Sequence, residues 1–246
     1  MALNGHKGSL INETAHVTDD PRQPNSQAFL IDLAIYLSVM FLIRKVYVSE
    51  IGFLANGLFW SLTTLAVAAW RMKARNVTWA DLGLRAPRSY KSTLIATAAV
   101  LGLAIGLVIV FQLVNEQLAL GLAPDRSEES AVSKFGDMRG DWALFFAFIP
   151  FVWLQSALEE ILDRGFLINW IEKALSNGAL ATAIAVVAQA AIFGFRHTND
   201  LSERSITVGL IGLAMGIGYV LFDRNLWPLI IAHCTLNTMS MLDRVT

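Results

Sequence analysis

Four ionisable residues fall within six positions in the run Leu158-Glu159-Glu160-Ile161-Leu162-Asp163-Arg164-Gly165, and the sequence on both sides is apolar. A charged side chain in hydrocarbon costs several kcal/mol unless it is paired, shielded or wet, so these groups need an explanation. On a helix, Glu160 and Arg164 are four residues apart and can pair. Glu159 is turned about 100° from Glu160 and shares its face with Gln155 and Asp163. The spacing therefore predicts one anchored carboxylate and one that remains available. An ion-paired knot between helices would use the same residues.

Two further groups recur downstream. In Phe193-Gly194-Phe195-Arg196-His197, the residues Gln189, Phe193 and His197 follow one helical face. In His233-Cys234-Thr235-Leu236-Asn237, the first and last residues are one turn apart and point the same way. Taken singly, the first could be a snorkelling or capping histidine and the second an ordinary interhelical hydrogen bond. Taken together, two glutamates, an arginine, two histidines and an asparagine on three apolar runs each need a polar partner, and gathering them in one place satisfies them all. A carboxylate and an imidazole converging on a water, beside neutral donors able to hold an oxyanion, is what acyl-transfer hydrolysis requires. The sequence holds no GxSxG elbow, HExxH, P-loop or dinucleotide fingerprint.

The ordered set EExxxR, FxxxH and HxxxN resembles the CPBP (ABI) family, named for the type II CAAX prenyl endopeptidases and bacteriocin-processing proteins. Gly165, the connector Leu82-Gly83-Leu84 and the glycine-rich run before Asn225-Leu226-Trp227-Pro228 resemble it too. The resemblance implies an intramembrane endopeptidase of the glutamic type acting on prenylated CAAX proteins, leader peptides or other membrane-associated substrates. By position, Glu159 would be the general base and His197 would hold the water. Glu160 and Arg164 would orient the site, and His233 and Asn237 would stabilise the oxyanion. Asp163 departs from the pattern, in which an apolar residue is more usual. Its charge disfavours ionisation of Glu159 unless Arg164 or Arg196 neutralises it.

No cofactor is expected on this reading. A metal-dependent hydrolase is the alternative enzyme, with Glu159, Glu160, His197 and His233 as zinc ligands. A non-catalytic membrane scaffold or immunity protein would keep the cluster for packing alone. A proton-coupled transporter would call for internal repeats, and none is visible.

These residues must be positioned by membrane helices. Of 246 residues, 55% are hydrophobic and 16% charged, too apolar for a soluble domain of this length. The formal net charge of -1 gives no field for nucleic acid, so the expected partners are the lipid bilayer and a peptide or protein substrate. A single cysteine, Cys234, excludes an intrachain disulfide. Apolar runs at 29–43, 51–70, 93–114, 142–171, 179–195, 206–222 and 226–242 are long enough to cross a bilayer. The expected fold is an all-α polytopic transmembrane bundle of seven or eight helices, the number depending on whether Pro150 splits the fourth run into a short segment and a long helix.

Residues 1–28 read as a disordered polar tail, and 29–246 as one helical domain with its catalytic core at about 142–242. Between 71 and 91 stand six Lys or Arg against one acid, and between 115 and 141 three against six. The positive-inside rule then puts the amino terminus in the cytoplasm, and a bacterial inner (plasma) membrane is the expected location. Small-residue ladders at Gly102 and Gly106, and at Gly209, Gly212 and Gly216, read as seams of close helix packing.

Overall fold

A computed structural model describes residues 26–123 and 135–246. Among them are seven long helices and no strand: α1 (Ser26–Ile43), α2 (Gly52–Ala74), α3 (Tyr90–Leu118), α4 (Trp142–Ala174), α5 (Ala179–Thr198), α6 (Glu203–Leu221) and α7 (Trp227–Val245). The tail assigned to 1–28 lies outside the described residues except for Ser26, Gln27 and Ala28, which already belong to α1. Six helices, α1 to α6, are long and apolar enough to cross a membrane. The seventh is not, which corrects the expectation that all seven runs qualify. It carries His233, Thr235, Asn237, Thr238 and Ser240, whose polarity is tolerable because α7 packs against α3 and α4.

Pro150 does not divide the fourth run. The helix continues through it from Trp142 to Glu159, with the proline on an exposed side of the bundle. The change in α4 comes instead at the charged residues, where Glu160–Ile168 adopts π geometry before α-helix resumes at Asn169. Such i→i+5 stretches are rare and occur most often at functional sites. From Leu162 to Trp170 every residue is buried, so this stretch is the axis around which the other helices gather.

Helices α5 and α6 approach closely because both lack side chains at their crossing. A Cβ on Gly194 would stand 2.4 Å from the Ser205 carbonyl oxygen and 3.0 Å from Cα of Gly209. One turn on, the missing side chain of Gly212 makes room for the Phe193 ring and the Arg164 guanidinium. The ladder in α6 is thus a packing seam, whereas that in α3 is not. A Cβ on Gly102 or Gly106 would meet nothing within 4 Å. The buried stripe of α3 is Ala96, Val100 and Ala104, which leaves the two glycines on the exposed side.

The connector after α2 is docked and does not hang free. Asp81 accepts from the Thr78 hydroxyl (2.6 Å) and amide (2.8 Å), and these bonds hold its carboxyl below the usual carboxylate range. Tyr219 donates to the Leu82 carbonyl (2.9 Å) and the Leu226 amide to that of Gly83 (3.1 Å). Gly83 has φ +96°, and a Cβ there would overlap the Arg224 carbonyl oxygen at 1.8 Å, so no other residue fits. Gly165 sits against Leu82 and Leu226. The accessory positions 82–84, 165 and 225–226 therefore meet in one place, at the end of the bundle away from connectors 44–51 and 199–202. At that same end Asp32, fully buried in α1, takes Arg71 Nε (2.9 Å), Arg75 Nε (2.8 Å) and the Trp170 indole (3.3 Å).

Candidate active site

Adjacent on α4, the two glutamates point toward different neighbours. Glu160 is fully buried and its Oε1 accepts from Arg164 Nη1 (3.0 Å) and His233 Nδ1 (2.7 Å). Arg164, also fully buried, reaches the Gly212 carbonyl through Nη2 (3.3 Å) and lies 4.4 Å from the centre of the Phe193 ring. The predicted pair forms, and it locks α4 to α5, α6 and α7 at once.

Removing one member leaves the other buried and poorly matched, which costs about 3 to 5 kcal/mol. Arg164→Ala is accordingly expected to lose thermal stability in detergent and turnover together, and normal values of both would show the pair to be dispensable.

Glu159 keeps one carboxylate oxygen for support and one for the centre of the site. Its Oε1 accepts from Gln155 Nε2 (3.1 Å), and the Gln155 amide is itself fixed on the Ser61 hydroxyl of α2 (2.7 Å). Its Oε2 faces His197 Nε2 at 4.0 Å and His233 Nε2 at 3.8 Å. Both imidazoles are oriented from behind. His197 Nδ1 donates to the Phe193 carbonyl (2.6 Å), which can only accept, and His233 Nδ1 donates to the Glu160 carboxylate. The partner of each Nδ1 fixes the tautomer, so both Nε2 atoms are free to act toward Glu159.

Asp163 causes no conflict with Glu159. Arg196, three per cent exposed, holds it through two bonds of 3.0 and 2.7 Å and passes within 4.0 Å of Glu159 Oε1. The residue before His197 thus neutralises the extra acid, and Arg164 belongs to Glu160.

Asn237 lies a turn beyond His233 on α7, where its Nδ2 donates to the Ser156 hydroxyl (2.8 Å). Ser156 in turn donates to the Val152 carbonyl (2.8 Å). The structure therefore gathers Glu159, His197 and His233 around one point, with Glu160 and Arg164 directly behind and Asn237 beside them on the α4–α7 seam. Cys234 has no place in this group, its sulfur resting 3.8 Å from the Trp153 carbonyl. Sequence reasoning passed over Ser61, Ser156 and Arg44. The first two carry a weak signal, a small hydroxyl in an apolar run, which by itself only shows that a helix has a neighbour.

A metal fits this donor set poorly. Zinc bonds of about 2.0 to 2.1 Å in a tetrahedron place ligand atoms some 3.3 Å apart, less than the 3.8 and 4.0 Å found here. Glu160 Oε1 is already taken by Arg164 and His233. Among the described residues no three His, Cys, Asp or Glu side chains are grouped to hold a metal ion. A water is a better match, since two atoms about 4 Å apart can each lie at about 2.8 Å from one oxygen.

Fold and site together define a helical integral membrane protein in which buried Glu159, Glu160 and His233 on α4 and α7 meet the more exposed His197 of α5. Residues 141–239 match the family model described as Type II CAAX prenyl endopeptidase Rce1-like, a segment holding all three motifs. That segment, less than half of the chain, is similar to the CAAX proteases, a family of membrane endopeptidases. No curated protein and no solved structure matches the chain.

Proposed function

We propose that this protein hydrolyses peptide bonds of membrane-associated substrates by direct attack of water, without a covalent enzyme intermediate or a metal. The observation that carries the proposal is the facing of Glu159 Oε2 with Nε2 of both histidines at 3.8 and 4.0 Å, where an apolar bundle opens at His197. A water held between Glu159 and His197 would donate to both acceptors and direct a lone pair at the scissile carbonyl. Glu159 would take the water proton as attack proceeds and pass it to the leaving amine. His233, when protonated and balanced by Glu160 at Nδ1, presents an N–H at Nε2 to the developing oxyanion, and the second amide hydrogen of Asn237 would add to it. Glu160, Arg164, Gln155 and Arg196 act as positioning residues.

The substrate class is a peptide or protein held in or at the bilayer, prenylated CAAX proteins and leader peptides among them. With the basic connector at 75–89 in the cytoplasm, as its charges favour, the connectors bordering the site lie on the opposite face. That placement suits a substrate reaching the site from the bilayer or from the external side. The test is mass spectrometry of peptides released in membranes carrying the wild-type protein or Glu159→Ala. Peptides that appear with the wild type and vanish with the variant support the function, and identical profiles would overturn it.

A further inference from the structure

Beyond the residues already placed in the site, a cation stands at its edge with no anion of its own. Arg44 follows the last turn of α1, is half-buried, and donates through Nη1 to the carbonyl of Arg196 (3.4 Å), the residue before His197. Its guanidinium lies 5.6 Å from the centre of the Trp60 ring. Among the described residues it forms no ion pair, whereas the neighbouring Arg196 is paired with Asp163 through both terminal nitrogens.

The loop that carries Arg44 is pinned. The Trp60 indole donates to the Val46 carbonyl (2.8 Å). Asn56, with no exposed surface, closes the loop by accepting from the Val48 amide (2.9 Å) and donating to its carbonyl (2.7 Å). A planar donor on a rigid loop, stacked near an aromatic face, suits a carboxylate.

The setting of Arg44 agrees with this. Burial, followed by the nearby charge of Arg196, pushes its pKa down to about 10 against the opposing pull of Glu159 and Asp163. A guanidinium so placed gains from a further anion. Its contact with the Arg196 carbonyl, and the charges of Glu159 and Asp163 that act on it, place it at the edge of the site.

We infer that Arg44 forms a carboxylate-binding subsite beside Glu159, and that it recognises a carboxylate of the peptide substrate near the bond to be cut. This rests on the peptidase reading for the identity of the ligand, though not for its binding. The carboxylate can be a chain terminus or an acidic side chain, and the guanidinium takes either.

The test measures binding, by fluorescence anisotropy in detergent micelles, of one labelled apolar octapeptide prepared with a free terminal carboxylate, as its terminal amide, and as the amide with a final glutamate. The full chain is used as wild type, Arg44→Gln and Arg44→Lys. The wild type is expected to bind a carboxylate form about tenfold more tightly than the plain amide. Arg44→Gln should bring that preference close to unity, and Arg44→Lys should keep part of it. Preference for the free terminus alone assigns the anion to a chain end, and preference for both acidic forms assigns it to any nearby carboxylate.

Equal binding of all three peptides by the wild type, binding of none, or a preference that persists in Arg44→Gln would each overturn the subsite. So would an Arg44→Gln effect seen only on association with anionic phospholipid vesicles, which would assign Arg44 to a headgroup. Carboxylate-selective binding without cleavage would retain the subsite and sink the peptidase reading. Cleavage of acid and amide at equal rates would do the reverse.

Discussion

Glu159→Gln is expected to lower peptide hydrolysis by about a hundredfold to ten-thousandfold while the protein stays folded. Glutamine keeps the length and shape of the side chain, so the Gln155 contact at 3.1 Å and the packing of α4 survive in large part. What disappears is a proton acceptor at the position of Oε2, between the two histidines. Single-turnover rates with thermal unfolding as the control decide the matter. A variant that unfolds at the wild-type temperature and retains more than about a tenth of the rate would remove Glu159 from the chemistry. Cys234→Ser is the companion measurement. The thiol points to the Trp153 carbonyl and not to the acid and histidine group, so its loss should change little. Loss of turnover in Cys234→Ser would overturn attack by water.

The second large effect is expected at Asn237. If its amide steadies the oxyanion, Asn237→Ala should cost about a hundredfold in the rate of the chemical step. The Ser156 bond complicates a simple reading, because removing the amide also frees a buried hydroxyl. Asn237→Asp separates the two roles, since it keeps the shape and loses the donor. An effect in kcat shared by Ala and Asp, with Ser156→Ala nearly as active as wild type, is the result the role requires. A Ser156→Ala variant as impaired as Asn237→Ala would instead make the pair a strut of the α4–α7 seam.

Much of the chemistry was legible because it violates the membrane's demand for apolar side chains. Glu160 and Arg164 could be paired from their spacing alone, since both lie on one helix and i to i+4 geometry survives even in the π stretch. The assignment of Asp163 could not be read in the same way. Arg164 and Arg196 were both eligible, and only the close approach of α5, allowed by Gly194 against Gly209, places Arg196 on it. Asp32 breaks the same rule as the glutamates, and a lone acid in the first apolar run demands a partner as much as any other. Its arginines come from the end of α2, beyond the reach of any local pattern.

Composition and apolar runs determined that this chain is a bundle of membrane helices, because lipid permits few other ways to satisfy a backbone. Motif spacing determined which polar residues share a helix face, because the helical repeat is fixed. The tertiary structure alone decided the rest. It chose which glycine ladder is a seam, since that depends on the face another helix covers. It let Pro150 pass and moved the irregularity of α4 to Glu160–Ile168, where the charged side chains find their partners. It also brought Arg44 from the end of α1 to the edge of a site formed by α4, α5 and α7. Contacts between helices arise from packing that periodicity within one helix does not encode.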